Sequence, residues 1–270
     1  MTALTDQDFQ RLSAYIQTNY GINLSKKQQL ITSRLHSFLE EDGYHDFHAF
    51  VDDIISGRRP DLISPMLDHL TTNYTYFLRE EAHFQFLTDK VIPWMKQNHR
   101  YDKCLAIWSA GCSSGEEAYT ISMFLKDAFD STWDTRILAT DISRDVLAQA
   151  ANPVYNINQL QNIPPAWMKK YFVKKPNGTY TVSEEIRKNV ILRPFNLMND
   201  IHFKRNFDLI FCRNVMIYFD QATRDQLVER FYDVTVPGGY LFIGHSEGIQ
   251  KDHTRYHYIQ PAIYQRRIGS

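Results

Sequence analysis

The most constraining stretch of the chain is Leu105 to Tyr119, which reads LAIWSAGCSSGEEAY. An apolar run ending in small residues, Cys104 to Ser109, turns through Gly111, Cys112, Ser113, Ser114 and Gly115 and enters a helical pattern at Glu116. Strand, tight glycine loop and helix in that order place backbone N–H groups and the positive end of a helix dipole at the carboxyl edge of a sheet. There an open α/β fold binds a nucleotide-like ligand. Glycines at the turn admit torsions and close approaches that side chains block. The spacing Gly111-x-x-x-Gly115 is not the G-x-G-x-x-G of a dinucleotide site, so a pyrophosphate is not indicated. In isolation it would also suit an ordinary glycine turn.

A second feature narrows the ligand. Thr135 to Thr140 (TRILAT) is another apolar strand and ends in Asp141. A carboxylate at that strand tip is placed to accept hydrogen bonds from both hydroxyls of a ribose; capping of the helix Ser143 to Ala150 is the other reading. Loop and aspartate together predict an adenosine ligand without a pyrophosphate, which S-adenosylmethionine (SAM) satisfies.

The 270 residues, 43% hydrophobic and 23% charged, have the composition of an ordinary globular protein. A formal charge of −1 gives nucleic acid no overall electrostatic attraction. Cys104, Cys112 and Cys212 are scattered without a C-x-x-C pair, so neither a disulfide framework nor a zinc site is indicated, and no metal is expected. Reduced thiols and an amino terminus unlike a signal peptide point to the cytoplasm. Phe207 to Phe219 is apolar but interrupted and too short to cross a bilayer.

From Thr5 to about Leu70 the sequence reads as helices only. Phe9, Leu12 and Ile16 mark the first, with Thr5 and Asp8 shaped as a capping box and Gly21 as a stop. Ser25, with Gln28 as capping partner, is expected to start a second that ends at Gly43; Phe47 to Ile55 forms a third; Ser64 and Pro65 are expected to open a fourth. Lys27 and Arg34, seven positions apart with Lys26 adjacent, share a face of the second helix. That face is either merely solvated or a docking surface for an acidic partner.

Thr71 to Glu80 (TTNYTYFLRE) follows, in which Asn73, Thr75, Phe77 and Arg79 would share one side of an extended segment. It is a linker or part of a site at the domain junction. From Glu81 strands and helices alternate, predicting a mostly parallel sheet covered on both faces. Pro176-Asn177-Gly178 sits between β-prone runs and predicts a hairpin. Asn196 follows the strand Val190 to Leu192, and Asn214 follows Phe207 to Cys212, so both should reach the edge that carries Gly111 and Asp141. Gln221 to Val234 is a helix with Leu227, Phe231 and Val234 inward, broken by Pro237-Gly238-Gly239 before a strand at Tyr240 to Gly244; Tyr258 to Tyr264 completes the sheet.

TTNYTYFLRE, IWSAGCSSGEEAY, LATDIS, FNL and above all FCRNVMIYFD resemble the chemotaxis receptor methyltransferase family, CheR, over nearly the whole chain. The resemblance implies an all-α domain (1–72) before a Rossmann-like SAM-dependent methyltransferase domain (73–270), with a small β-subdomain inserted near 171–192. It implies transfer of the SAM methyl group to glutamates on the cytoplasmic coiled coils of chemoreceptors, giving glutamate methyl esters. By motif matching, Asn73, Thr75, Arg79, Glu117, Asp141, Asn196, Leu197, Asn214 and Val215 look like the family's SAM contacts. Cys112 and Ala118 depart from several relatives without obvious harm. In some members the β-subdomain grips a receptor's carboxyl-terminal peptide and in others not; the hairpin sequence leaves this open.

Glutamate, with an ordinary pKa of about 4.3, is ionised at neutral pH, so in-line displacement needs no general base. Alignment and exclusion of water remain. Arg79 is the candidate for orienting a carboxylate, or else pairs with Glu80 or Glu81. Tyr218 is the candidate for placing a hydroxyl near the methyl group, or else is core. His245 reads as a supporting residue. A methyltransferase for another acceptor, a SAM sensor without transfer, and an RNA methyltransferase are the competing readings, the last disfavoured by charge balance. A monomer is the expected form.

Overall fold

The computed structural model describes residues 4–25 and 27–269. Four helices come first: α1 (Asp6–Tyr20), α2 (Gln28–Glu41), α3 (Phe47–Ile55) and α4 (Ile63–Leu70). α1 is capped by Thr5, whose side chain accepts from the Asp8 N–H, and closed by Gly21 in the left-handed region.

Two helix starts differ from expectation. Asn23 Oδ1 accepts from both the N–H and the hydroxyl of Ser25. The hydroxyl is thereby engaged in a local turn, and α2 begins at Gln28 without a side-chain cap. Gln28 instead reaches Asp6 at 2.9 Å. α4 is preceded by a 3₁₀ turn at Pro60–Leu62, so Ser64 lies inside the helix. Its hydroxyl accepts from the Arg144 N–H at 3.0 Å, across the domain junction.

After the linker, α5 (Glu81–Phe86) passes through a π turn (Leu87–Val91) into α6 (Ile92–Asn98). Then come β1 (Ile107–Ala110), α7 (Glu116–Ala128), β2 (Ile137–Asp141), α8 (Arg144–Ala151), α9 (Pro165–Tyr171), the hairpin β3 (Phe172–Lys174) and β4 (Tyr180–Val182), and α10 (Glu184–Lys188). β5 (Val190–Pro194), β6 (Phe207–Cys212), α11 (Gln221–Val234), β7 (Thr235–Ile243), β8 (His257–Gln260) and β9 (Ile263–Gln265) finish the chain.

The main sheet has the order β5-β2-β1-β6-β7-β9-β8. β5, β2, β1, β6 and β7 run parallel, while β9 and β8 add an antiparallel edge. Strand order reverses direction at β1, so the crevice beyond the carboxyl ends of β1 and β6 is a topological switch point. β6 is buried at every position, as expected of a strand covered on both faces.

Three β assignments are corrected. The inserted β-subdomain is the two-stranded hairpin alone, since Val190–Pro194 pairs with β2 in the main sheet. Pro237-Gly238-Gly239 does not precede β7 but lies within it as a bulge, with Phe207 opposite Thr235 and Leu209 opposite Tyr240. Tyr258 to Tyr264 is two strands joined by a turn at Ala262, where φ is 64°. On α11 the inward residues are Leu227, Val228, Phe231 and Tyr232, with Val234 only half-buried.

The two sheet faces feed two cores. Trp108, Ala110, Ile210, Cys212, Leu241 and Ile243 pack with α11 and with the buried side chains of α1 to α4. Ile107, Leu209, Phe211 and Phe242 pack with α5, α6, α7 and the hairpin region. Among the described residues no helix is long and apolar enough to cross a membrane.

Candidate active site

Local structure brings the predicted residues to one edge. β1 ends at Ala110 and the chain reverses with φ of +87° at Gly111, +49° at Ser113 and +96° at Gly115. Gly111 is required twice over: a Cβ there would lie 2.4 Å from Val215 Cγ2. Four of the loop's N–H groups are already engaged, while the start of α7 has no side-chain cap. Gly111 and Cys112 donate to the Thr140 carbonyl at 2.8 and 2.9 Å, and Gly115 donates to Cys112. Ser113 donates to Asp141 Oδ2 at 2.9 Å. From Gly111 to Ser113 the loop is therefore a wall and not an anion cradle, consistent with a ligand lacking pyrophosphate.

Above it lies a cavity of about 290 Å³ lined by the linker, the glycine loop, Glu117 and the residues beyond β2, β5 and β6. Asn73, Thr75, Arg79, Glu117, Asp141, Asn196, Leu197, Asn214, Val215 and Tyr218 all line it. Phe77, expected on the same side as these linker residues, is buried in the second core instead, edge-on to Tyr155 and Phe172. The linker is therefore pinned by one aromatic while its polar side chains face the cavity. Its end is strained, with Leu78 and Glu80 both at φ 60°.

Asp141 is half-buried, and loss of solvent pushes its carboxyl up against the pull of the Ser143 and Ser113 N–H groups. Ser143, not Asp141, caps α8 through Val146. Asn196 donates to the Asn19 carbonyl at 2.7 Å, tying the site to the end of α1. Asn214, at φ 59°, donates its N–H to Glu247. The Tyr218 hydroxyl accepts from the Thr72 N–H at 2.8 Å and donates to the Thr72 carbonyl at 3.1 Å, so it bridges the linker to the 216–219 turn.

Arg79 does not pair with Glu80 or Glu81. Its guanidinium donates to the Tyr74 carbonyl at 2.8 Å and lies over the Tyr76 ring. Among the described residues no carboxylate reaches it within 4.0 Å, so a cation faces the cavity without a counterion. Glu80 pairs instead with Arg213, whose Nε and Nη2 reach Oε2 at 3.2 and 3.1 Å. Arg213 Nη1 reaches Glu117 Oε2 at 3.1 Å, and Ser109 donates to Glu117 Oε1 at 2.6 Å.

Arg213 was not singled out from sequence. The available signal was a charge directly after a wholly buried strand, which must find partners. Tyr20 and Ile22, which carry the helical domain into the cavity wall, gave no such signal. Glu80, His83 and His245 bring potential ligand atoms within 4.8 Å of one another, a cluster not foreseen from sequence. Glu80 is already engaged by Arg213 and by the His245 N–H. Burial, with Arg213 adding to it, pushes His83 down to about 3. Both ring nitrogens of His83 are buried without a hydrogen-bond partner, so within this cluster it is Glu80 that supports Arg213.

A strand-end carboxylate, a half-buried carboxylate at a helix start, an unpaired guanidinium and apolar walls at Ile142, Phe195, Leu197 and Val215 form a donor and acceptor set that fits SAM: diol, ammonium, carboxylate and ring. Residues 73–264 match the model described as "CheR methyltransferase, SAM binding domain", and residues 7–71 match "CheR methyltransferase, all-alpha domain". The chain belongs to the CheR methyltransferase family. It is 39% identical to a chemotaxis protein methyltransferase of Borreliella burgdorferi, over 97% of this chain and 95% of that one. It is 33% identical to the chemotaxis protein methyltransferase of Escherichia coli, over 97% and 91%, and 32% identical to chemotaxis protein methyltransferase 2 of Vibrio cholerae, over 94% and 90%. The expected fold, SAM as cofactor and the assignment as a SAM-dependent methyltransferase are thereby borne out.

Proposed function

We propose that this CheR-family enzyme methylates glutamate side chains on the cytoplasmic domains of chemoreceptors, forming glutamate methyl esters. The observation that carries this reading is the cavity's chemistry: among the described lining residues there is no histidine or lysine to serve as a base. The two lining carboxylates are already engaged, Glu117 by Arg213 and Asp141 by the Ser113 and Ser143 N–H groups, and a glutamate acceptor arrives ionised and needs no base. When bound, SAM supplies an electrophilic methyl group on a sulfonium.

Asp141 accepts the two ribose hydroxyls and Glu117 the ammonium of the methionine part. Arg79 holds a carboxylate, that of the methionine part or of the incoming glutamate, since its fork has no other anion. Asn73 and Thr75 supply polar contacts from the linker. Asn196, Leu197, Asn214 and Val215 frame the adenine and methionine moieties. Tyr218 keeps the linker closed over the cavity through Thr72 and excludes water.

The receptor docks on the helical domain. Lys27 is exposed beside the start of α2, and Lys26 lies outside the described residues. Arg34 is half-buried, with one nitrogen 3.3 to 3.5 Å from the carbonyls of His69, Leu70 and Thr71 at the end of α4. Arg34 thus also supports α4, and Lys27→Glu is the cleaner probe of docking.

The test is incubation with methyl-labelled SAM and a receptor cytoplasmic fragment, followed by mild base. Methanol-releasable label that vanishes when the methylation-site glutamates become alanine is expected. Label that resists base would place the methyl on another group and end this reading.

A further inference from the structure

Arg213 is held in a setting that demands an explanation beyond folding. Its side chain is 2% exposed, between Glu80 at 15% and Glu117 at 11%. It also donates to the Arg79 carbonyl and lies over the Phe84 ring. One guanidinium thus joins the linker, the start of α7 and the end of β6, and two carboxylates share it. Such a triad carries one excess negative charge, and of its two carboxylates Glu117 is the one that lines the cavity, beside Arg213. A buried carboxylate is neutralised unless a cation or hydrogen bonds hold its charge.

We propose that Arg213 is a positioning residue for methyl transfer, keeping Glu117 ionised and aimed at the cationic end of SAM, with Glu80 fixing the fork. This rests on the reading that Glu117 meets the methionine ammonium. The groups facing Glu117 support it. Burial raises its carboxyl, Arg213 and Ser109 pull it down, and Glu80 pushes it up. The Cys112 and Cys212 thiols are raised well above their ordinary range by burial and stay neutral. His83, on the far side of Glu80, is neutral as well. Arg213 is therefore the cation in direct contact that can hold the charge on Glu117.

SAM affinity is measured by calorimetry from pH 4 to 8.5 on the full chain, where the wild type should be flat around neutral pH and weaken only toward the acid end. Removing the cation in Arg213→Met raises the Glu117 carboxyl further, so affinity should fall by about tenfold per pH unit on the acid side and recover toward wild type at pH 8.5. Arg213→Lys should restore most of the flat profile. Glu80→Gln removes the carboxylate that opposes ionisation of Glu117, so it should hold SAM to lower pH than wild type. A folded Arg213→Met variant weakened equally at every pH would overturn the proposal. If that variant does not fold, Glu80→Gln decides: extended acid-side binding supports the charge-holding role, and uniform loss overturns it. Glu117→Gln separates the two levels. Unchanged SAM affinity in Glu117→Gln would remove the underlying cofactor reading, while loss of affinity there combined with a pH-flat Arg213→Met would overturn the role of Arg213 alone.

Discussion

At the scale of single residues, the site depends on close approaches that tolerate little. Gly111→Ala puts a methyl group 2.4 Å from Val215 Cγ2 at a φ of +87°, combining overpacking with backbone strain of about 1–3 kcal/mol. It should lower both the melting temperature and SAM affinity. Gly178→Ala in the hairpin turn is the control: φ is +84° but nothing lies within 4 Å of the added Cβ. About 1 kcal/mol of stability should go with SAM titration unchanged; equal effects of both variants on SAM binding would contradict the wall formed by Gly111. Asp141→Asn presents an NH₂ group to one of two N–H donors, those of Ser113 and Ser143, that the carboxylate now accepts at 2.9 and 3.0 Å. Leaving one donor unsatisfied costs about 1–3 kcal/mol. SAM affinity should drop about tenfold or more, checked by the same titration.

Among the elements, the hairpin is anchored through one carboxylate. Asp127 on α7 accepts from Trp167 Nε1 at 2.7 Å, Lys170 Nζ at 2.5 Å and the Tyr171 hydroxyl at 2.6 Å, all on α9, which runs directly into β3. Burial raises the Asp127 carboxyl, but these donors outweigh it and leave it below its ordinary value. A depressed carboxyl stabilises the fold above its unfolded pKa and loses that contribution as pH falls through the folded value. Asp127→Ala should therefore speed hydrogen exchange in α9 and the hairpin at pH 7, with the difference from wild type shrinking below about pH 3.8. A difference that persisted at lower pH would show that packing, and not charge, anchors the hairpin. Legibility also divides at this scale. Asp141, Asn196 and Asn214 were readable because each follows an apolar run, so strand period alone sends it to the carboxyl edge. The Arg213 pairing with Glu80 spans 133 positions, and no local pattern encodes it. Ser25 and Ser64 looked like caps because cap chemistry is local, yet Asn23 and the Arg144 N–H took their hydroxyls. Pro237-Gly238-Gly239 punctuates most chains, but pairing with β6 absorbed it as a bulge.

On the scale of the whole molecule, the helical part is less a separate body than one wall of the enzyme. Leu12, Ile16, Leu35 and Leu67 belong to the same buried cluster as Trp108, Ile210, Leu227 and Phe231. Polar ties cross the same junction: Gln17 to Asp220 at 2.6 Å, Ser143 to Asp68 at 2.8 Å, and the Asn23 N–H to the Tyr218 carbonyl at 2.8 Å. Tyr20 and Ile22 line the SAM cavity itself. Removing residues 1–71 would uncover one face of the sheet and α11, and it would open the cavity on that side. The apolar surface left in water works against folding at about 25 cal/mol per Å². A chain beginning at residue 72 should therefore aggregate or lose its melting transition, and should not bind SAM. The intact chain should unfold in a single transition whose calorimetric and van't Hoff enthalpies agree, with SAM raising its midpoint by mass action. Two separated transitions, with SAM shifting only one of them, would mean that the shared core is too weak to couple the two parts and that the helical wall can leave the cavity without unfolding it.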